Sequence, residues 1–389
     1  MSSQFISPSP FKTPYIPKNS RLHRATVDLL GKAAIQINGT SPWDMQLKSA
    51  GVPERAFAQG NLGLGEAYMD GAWDAEHLDE FFARLLSTRL TDQIQPLRLL
   101  GHALSAKLLN RQDIKRARQV GEVHYDLGND FYGAMLDSRM TYTCGYWENA
   151  TTLEQAQIAK LDLVCRKLQL KPGMRVLDIG CGWGSFMAYA AENYGVECVG
   201  VSISKEQVAW AQQRYAHLPL EFRLQDYREL NETFDAIASI GMFEHVGRKN
   251  YRTYMQVAHQ CLRKNGLFLL HTIGKNLRKS APDPWIDKYI FPNGDLPSVG
   301  QIGDALDNLF VVEDLHNFGA DYDKTLMAWF ANFDAAWPRF ENELGERFYR
   351  MWRYYLLSCA GAFRARDIQL WQWVLSKEGV PSGYRRERI

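Results

Sequence analysis

Val176-Leu-Asp178-Ile-Gly180-Cys-Gly182-Trp-Gly184 is the stretch from which the rest of the chain can be read. The run Arg175–Ile179 has the length and apolarity of a buried strand. Alternating glycines follow it, and a helical apolar pattern, Phe186–Tyr194, starts directly behind them. Strand, glycine loop and helix in that order are the context in which such a loop holds a ligand. The spacing is GxGxG, whereas dinucleotide binders carry GxGxxG. Glycine permits positive φ and close backbone approach. The helix N-terminus behind the loop offers free N–H groups to a carboxylate. A ligand with an amino acid at one end and a nucleoside at the other suits these features, which describes S-adenosylmethionine (SAM). Asp178 would accept from its ammonium, and Gly180, Gly182 and Gly184 would lie against its methionine and ribose. The alternative is a tight turn with no ligand.

The pattern around this stretch is a repeated alternation of strand and helix. Before it, Thr151-Thr-Leu-Glu154 reads as a capping-box start, with Ile158, Leu161, Cys165 and Leu168 on the buried face of the helix. After it come a strand at Val196–Val201, a helix at Lys205–Tyr215, and strands at Leu220–Leu224 and Phe234–Ile240. A helix, Tyr251–Leu262, and a strand, Leu267–Ile273, continue the series. Later elements are a strand at Phe310–Leu315, a helix after Tyr322, a helix at Glu341–Leu357 and a strand near Ile368–Leu375. Repeated βα units predict a parallel sheet covered on both faces by helices.

In such sheets ligands sit beyond the carboxyl ends of the strands. At the end of the second strand stands Gly200-Val-Ser202-Ile-Ser204-Lys-Glu-Gln207, with no carboxylate directly at the strand end. Ser202 with Gln207 is the first choice for holding the ribose hydroxyls, and Glu206 ranks lower. After the third strand, Gln225 or Asp226 can read the adenine amino group. The fourth strand ends in Gly241-Met-Phe-Glu244-His245-Val-Gly247, and the fifth contains His271. Met140-Thr-Tyr142-Thr143-Cys144 lies upstream and Phe318-Gly-Ala-Asp321-Tyr322 downstream. Taken singly, His271 in an apolar strand reads as a core histidine, and Cys144 as a small buried hydrophobe. Their joint placement around a SAM loop is what favours a reaction site.

Composition narrows the remaining choices. The chain has 389 residues, 46% of them hydrophobic, enough for a sizeable core and for two or three domains. Forty-five Lys+Arg against 44 Asp+Glu give a net charge of +1, which argues against a protein whose whole surface binds nucleic acid electrostatically. No apolar run reaches membrane-spanning length. Six scattered cysteines without a CxxC pair argue against a disulfide framework or zinc site, so the expected compartment is the reducing cytoplasm. Residues 1–20 read as a disordered tail, with four of the fifteen prolines. Residues 21–93 form a small, mainly helical domain, in which Gly60-Asn-Leu-Gly-Leu-Gly65 is expected to form turns and close backbone packing. Residues 94–120 read as a helical linker, and 121–389 as the catalytic domain. Within the linker, Lys107, Arg111, Lys115, Arg116 and Arg118 face only Asp113, a local charge of +4. That is a solvated linker helix or a basic face for anionic lipid headgroups.

Several segments in order, from about residue 20 to about 375, resemble the bacterial cyclopropane-fatty-acyl-phospholipid synthases. They include Asn61-Leu-Gly-Leu-Gly-Glu-Ala-Tyr-Met-Asp-Gly71, Glu122–Asp130, Tyr142-Thr-Cys144, the glycine loop, Gly241–Gly247, Leu270–Gly274, Asp283–Gly294 and Phe318–Tyr322. The resemblance implies a seven-stranded, mostly parallel SAM-dependent methyltransferase fold and a lipid-binding N-terminal domain. It implies transfer of a methylene from SAM to the cis double bond of an acyl chain in a membrane phospholipid. It also implies a bicarbonate ion as the base, held by Cys144, Glu244, His271 and Tyr322 with the Ile273 backbone. Tyr142 and Thr143 match positions that contact SAM. A homodimer, peripheral on the cytoplasmic side of the membrane, goes with the family.

The residue types suit that chemistry. A carbocation formed on the acyl chain must lose a proton before water reaches it, so the site must be apolar and dry. Aromatic faces favour a cation by roughly 0.5–2 kcal/mol each. Tyr142, Tyr146, Trp147, Phe243, Trp285, Tyr289, Phe291 and Phe318 fall in these segments, and only a few are expected to line the site. His271 and Tyr322 can donate to an anion. Glu244, as a carboxylate, would accept from it or orient His271. Two rivals are a SAM methyltransferase for a soluble amine or phenol, and a non-catalytic SAM- or lipid-binding protein. The aromatic insert at 285–291 disfavours the first, and the intact Asp178, Glu244, His271 and Tyr322 set disfavours the second.

Overall fold

The computed structural model describes residues 21–89, 127–278 and 282–387. The expected tail and the basic segment Lys107–Arg118 lie outside them. The first described part is helical, with α1 (Arg21–Lys32), α2 (Val52–Gln59), α3 (Asn61–Met69) and α4 (Leu78–Ser87). A two-residue antiparallel pair, β1 (Gln46–Leu47) and β2 (Trp73–Asp74), ties it together. Here the turns expected at Gly60–Gly65 are a helix. Its glycines are close-approach positions, as expected in the other half of that reading. A Cβ on Gly63 would lie 2.1 Å from the Arg55 carbonyl oxygen, and one on Gly65 2.4 Å from Cδ1 of Trp285. The helical cost of two glycines, about 1 kcal/mol each, is offset by the packing that they allow.

The second part begins with α5 (Asn129–Met135) and α6 (Leu153–Lys167). It continues as β3 (Arg175–Ile179), α7 (Ser185–Tyr194), β4 (Glu197–Ser202), α8 (Lys205–Arg214), β5 (Leu220–Leu224), β6 (Phe234–Ile240), α9 (Tyr251–Cys261) and β7 (Leu262–Lys275). Then follow α10 (Pro284–Tyr289), α11 (Val299–Leu306), β8 (Val311–Asn317), α12 (Ala320–Ala336), α13 (Glu341–Arg364) and β9 (Ile368–Ser376). The seven strands β3–β9 form one sheet in the order β5-β4-β3-β6-β7-β9-β8. Neighbours pair in parallel except β9, which runs antiparallel to β7 and β8. The order turns back between β3 and β6, and this is where ligands bind in open α/β sheets.

Alternation along the strands sorts the core. Leu177, Ile179, Ile237, Phe268 and Leu270 bury one face under α9 and α11. Val176, Ala236, Ala238, Leu267 and Leu269 bury the other under α6, α7 and α8. Asp178, two residues from Val176, belongs to this second face, as does His271, two from Leu269. The residues of β9 are buried throughout, as a strand covered on both faces must be.

Two local expectations for α6 are corrected. The N-cap is Thr152, whose hydroxyl accepts from the Gln155 N–H, and not Thr151. Ile158 is 38% exposed. The buried stripe instead carries Ala156, Gln157, Lys160, Leu161, Val164 and Lys167. The polar members of that stripe are held by tertiary partners, which a hydrophobicity pattern does not register. The fifth strand of the parallel series, β7, also starts five residues earlier than expected, at Leu262.

The N-terminal helices share a core with α10, α12 and α13. Trp285 on α10 is fully buried and packs on Tyr354 with ring centroids 4.5 Å apart. Truncating such a residue to alanine typically costs about 3–5 kcal/mol. Asn61 donates to both carboxylate oxygens of Asp283 at 2.9 Å, and Tyr354 donates to Asn61 at 2.6 Å. Arg350 donates to the carbonyls of Tyr68 and Trp73.

Candidate active site

Tyr142, Thr143, Asp178, Gly180, Gly182, Ser202, Gln207, Gln225 and Asp226 all line one cavity at the carboxyl ends of β3, β4, β5 and β6. Gly184 does not. It caps α7 at φ +82°, and a Cβ there would lie 2.6 Å from the Phe222 ring. Its requirement is thus one of helix–sheet packing. Gly182 is the opposite case, since its φ is +53° and a Cβ would meet no protein atom within 4 Å. The position opens onto the cavity.

Asp178 is buried at the end of β3, and its Oδ1 has no partner. Burial pushes its pKa up to about 7, with Lys160 opposing the rise. Oδ1 is thus left open to a cationic partner in the cavity. Ser202 and Gln207 meet as expected, the serine hydroxyl donating to Gln207 Oε1 at 3.4 Å. Glu206 is exposed and does not line the cavity. Asp226 lines it, but its carboxylate already accepts from the Arg228 backbone N–H and guanidinium at 2.8–3.0 Å. Gln225 is therefore the freer of the two for an adenine edge.

Lys160 was not foreseen. It is fully buried on α6, lines the same cavity, and donates to Thr143 Oγ1 at 3.0 Å. Gln157, one turn earlier, donates to the Thr143 carbonyl at 2.7 Å. Together they fix the Tyr142–Cys144 segment over the glycine loop. The signal available in the sequence was a lysine and a glutamine at core-facing positions of an amphipathic helix. Trp183 and His245 also line the cavity. Trp183 donates to Asn129 Oδ1 at 2.8 Å, joining the loop to α5. Burial lowers the pKa of His245 to about 4, so it is a neutral ring.

The second group of expected residues lies beside this cavity. Cys144 follows Thr143, and Glu244 stands between the lining residues Met242 and His245. Glu244 Oε1 accepts from the Ile273 N–H at 2.7 Å, so that backbone donor is already committed to the carboxylate. Glu244 Oε2 is buried without a partner. Burial raises the glutamate pKa to about 7, so near neutrality it populates both forms and is not simply an anion. Nor does it orient His271. That ring's Nδ1 lies 3.1 Å from the Gln372 side-chain nitrogen, and its Nε2 is buried without a partner. Burial holds His271 well below the usual imidazole range. Tyr322 is buried, close enough to Cys144 and Glu244 for both to help burial in raising its pKa. The Cys144 thiol is fully buried and pushed well above its usual range, which makes it a thiol and not a nucleophilic thiolate. Its Sγ donates to the Gly145 carbonyl at 3.1 Å.

Of the aromatic residues singled out in the sequence, Tyr142 and Phe291 face each other across 6.5 Å. Tyr146 and Phe318 pack 5.3 Å apart, with Phe318 against His271. Phe243 instead packs into the core on Tyr251 and Tyr254, and Trp285 and Tyr289 face the N-terminal helices. Further aromatic neighbours of Tyr142 and Tyr322 were not foreseen. Trp329 of α12 lies 5.1 Å from Tyr142, Tyr355 of α13 is within 3.0 Å of the Tyr142 hydroxyl, and Phe363 stacks on Tyr322 at 4.5 Å. No local motif marks these three, because they converge only when α12 and α13 pack over the sheet.

Comparison with known proteins gives the family. The model of the mycolic acid cyclopropane synthetase family matches residues 112–373. The cyclopropane-fatty-acyl-phospholipid synthase of Escherichia coli K12 is 54% identical over 371 residues, covering 94% of this chain and 96% of that protein. Cyclopropane mycolic acid synthase 1 of Mycobacterium tuberculosis is 36% identical over 275 residues, covering 66% of this chain and 96% of that protein. Among solved structures, the cyclopropane synthase MmaA2 from M. tuberculosis superposes with a TM-score of 0.64 at 32% identity, over 69% of this chain and 100% of that one. Mycolic acid cyclopropane synthase CmaA1, complexed with SAH and CTAB, gives 0.63 at 35% identity, over 67% and 98%. A loop, a buried acid and a strand-end cavity suited to SAM thus stand in a chain that belongs to the cyclopropane synthase family, among its SAM-dependent cyclopropane-fatty-acyl-phospholipid synthases.

Proposed function

We propose that this chain transfers a methylene from SAM to the cis double bond of an acyl chain in a membrane phospholipid. The observation that carries the reading is the pair of buried, unpartnered atoms, Glu244 Oε2 and His271 Nε2, beside Tyr322 and the SAM cavity. Two buried polar atoms left without partners would each cost about 1–3 kcal/mol, so the site is completed by a small polar ligand. The sulfonium methyl would move to one alkene carbon, its C–S electron pair staying on sulfur. Positive charge then develops on the other alkene carbon. Loss of a proton from the new methyl group frees the C–H pair to close the ring.

The donor set fits bicarbonate. His271 and Tyr322 can each donate to an anionic oxygen, and Glu244 Oε2 can accept its O–H. Bicarbonate bound there would supply the base for the methyl proton. The chain's own part is placement and exclusion of water. Cys144 contributes a small polar edge, and Tyr142, Phe291, Trp329 and Tyr355 supply a dry wall whose faces favour a nearby cation.

The membrane reading is proposed with it. Among the described residues no helix is long and apolar enough to cross a membrane, so the acyl chain would be reached from the surface of the bilayer. The N-terminal helices would meet the lipid on the cytoplasmic face, and the protein would act as a homodimer. The test is a vesicle assay with methyl-labelled SAM, followed by gas chromatography of the released acyl chains. Label in a cyclopropane acyl chain supports the reading. Label transferred instead to a soluble amine or phenol overturns it.

A further inference from the structure

The sheet register places three polar side chains in one row. His271 on β7 pairs with Gln372 on β9, and Gln372 pairs with His316 on β8. All three are buried. Lys167, fully buried at the end of α6, reaches down onto this row. Its Nζ donates to Gln372 Oε1 at 2.8 Å and lies 3.0 Å from His316 Nδ1, with the buried Asp314 carboxylate at 4.0 Å. Of these residues only His271 belongs to the motifs that carry the family resemblance; Lys167, Asp314, His316 and Gln372 do not.

For a lysine ammonium, hydrogen-bond inventory leaves one arrangement. A lysine amine facing an amide oxygen donates to it, and an amide NH2 can only donate. Turning the Gln372 amide over would set donor against donor at Lys167. Its oxygen is therefore held toward Lys167, and its NH2 faces His271 Nδ1 at 3.1 Å. A ring nitrogen facing that NH2 must accept. In a neutral imidazole the other nitrogen then carries the proton.

We propose that Gln372, locked by Lys167, is a positioning residue that fixes His271 as the Nε2–H tautomer, so that the ring offers the reaction site a donor and never a lone pair. The role of that donor rests on the bicarbonate reading above, but the tautomer does not. Two consequences follow. His271 cannot be the base that removes the methyl proton, because its one available lone pair is used by Gln372. And an anion beside Nε2 meets an N–H, where the other tautomer would present a repelling lone pair.

The test uses the full-length chain with 15N-labelled histidine. Two-bond proton–nitrogen correlation spectra separate protonated from unprotonated ring nitrogens, and the His271 signals are assigned by their loss in His271→Gln. The ligand-free wild-type protein should show Nε2 protonated and Nδ1 bare. Gln372→Glu substitutes an acceptor for the donor, so the proton should move to Nδ1. With it the KM for bicarbonate should rise about tenfold or more, the usual scale for losing an orienting partner, while SAM affinity stays unchanged. If Gln372→Glu does not fold, Lys167→Met should show a second tautomer appearing as the amide is released. Wild-type His271 with Nδ1 protonated overturns the proposal, and so does a tautomer unmoved in every folded variant. Equal wild-type rates with and without bicarbonate would instead sink the bicarbonate reading and leave the tautomer result standing.

Discussion

The Ile273 N–H donates to Glu244 Oε1 at 2.7 Å, and Glu244 Oε2 beside it has no partner at all. One oxygen is thus committed to the fold and the other is left open. Glu244→Gln can keep an acceptor for Ile273 while changing what is presented to the site. Turnover should fall by about 10–100-fold, the scale of a hydrogen bond to a charged group. SAM affinity by calorimetry should stay near the wild-type value, because the lost interaction acts mainly in the transition state. A parallel loss of SAM affinity would place Glu244 in the cofactor site instead.

If Asp178 receives the SAM ammonium as proposed, SAM binding should depend on pH. The ionised carboxylate is the form that pairs with an ammonium, and burial raises its pKa to about 7 in the ligand-free chain. A raised carboxylate pKa means that the binding-competent form is lost as pH falls through 7. Affinity should drop by about tenfold per unit below that point. It should drop again above roughly pH 8, where an α-amino group gives up its proton. Calorimetry across this range checks the shape. Asp178→Asn should bind weakly and lose the acidic limb, and an unchanged limb in that variant would assign it to another group.

The two glycines of the loop should respond differently. Gly182→Val places a β-branched side chain at φ +53° and into the cavity, which should abolish SAM binding. The strain of that conformation is about 1–2 kcal/mol, small enough to leave the circular dichroism spectrum folded. Gly184→Ala drives a Cβ into Phe222 and should lower Tm by several degrees. Loss of SAM binding at both positions with Tm unaffected would mean that Gly184 also faces the ligand.

Cys144 should be tolerant of exchange. Its thiol is buried and held protonated, so Cys144→Ser should cost less than about tenfold in turnover, and alkylating reagents should leave the native enzyme active. A catalytic nucleophile would show the reverse, with near-complete loss.

The basic stretch Lys107–Arg118 bears on the membrane reading. Neutralising Arg111, Lys115, Arg116 and Arg118 should weaken cosedimentation with anionic vesicles by about 1 kcal/mol per residue. The effect should be largest at low salt, where screening is least. Cosedimentation unaltered across a salt series would leave lipid capture to the N-terminal helices.

The succession of strands β3 to β9 and the place of the glycine loop could be read from the chain alone, because a strand's alternation and a helix's period are local properties, whereas the short helices α10 and α11 between β7 and β8 were not read. Positions at strand ends, such as Asp178, Ser202, Gln225 and Glu244, followed from the same pattern, since a parallel sheet brings its carboxyl ends together. The helix over Gly60–Gly65 was missed because its glycines are set by Arg55 and Trp285, residues that lie outside the hexapeptide. Lys160 and Lys167 look like errors in an apolar stripe until Thr143, Gln372 and Asp314 arrive from elsewhere. Trp329, Tyr355 and Phe363 carry no motif, since only the packing of two C-terminal helices turns them toward Tyr142 and Tyr322. Periodicity decides which face of an element is buried. What a buried polar group bonds to, and therefore which of its atoms is left for a ligand, depends on residues distant in sequence and is decided only when the chain has folded.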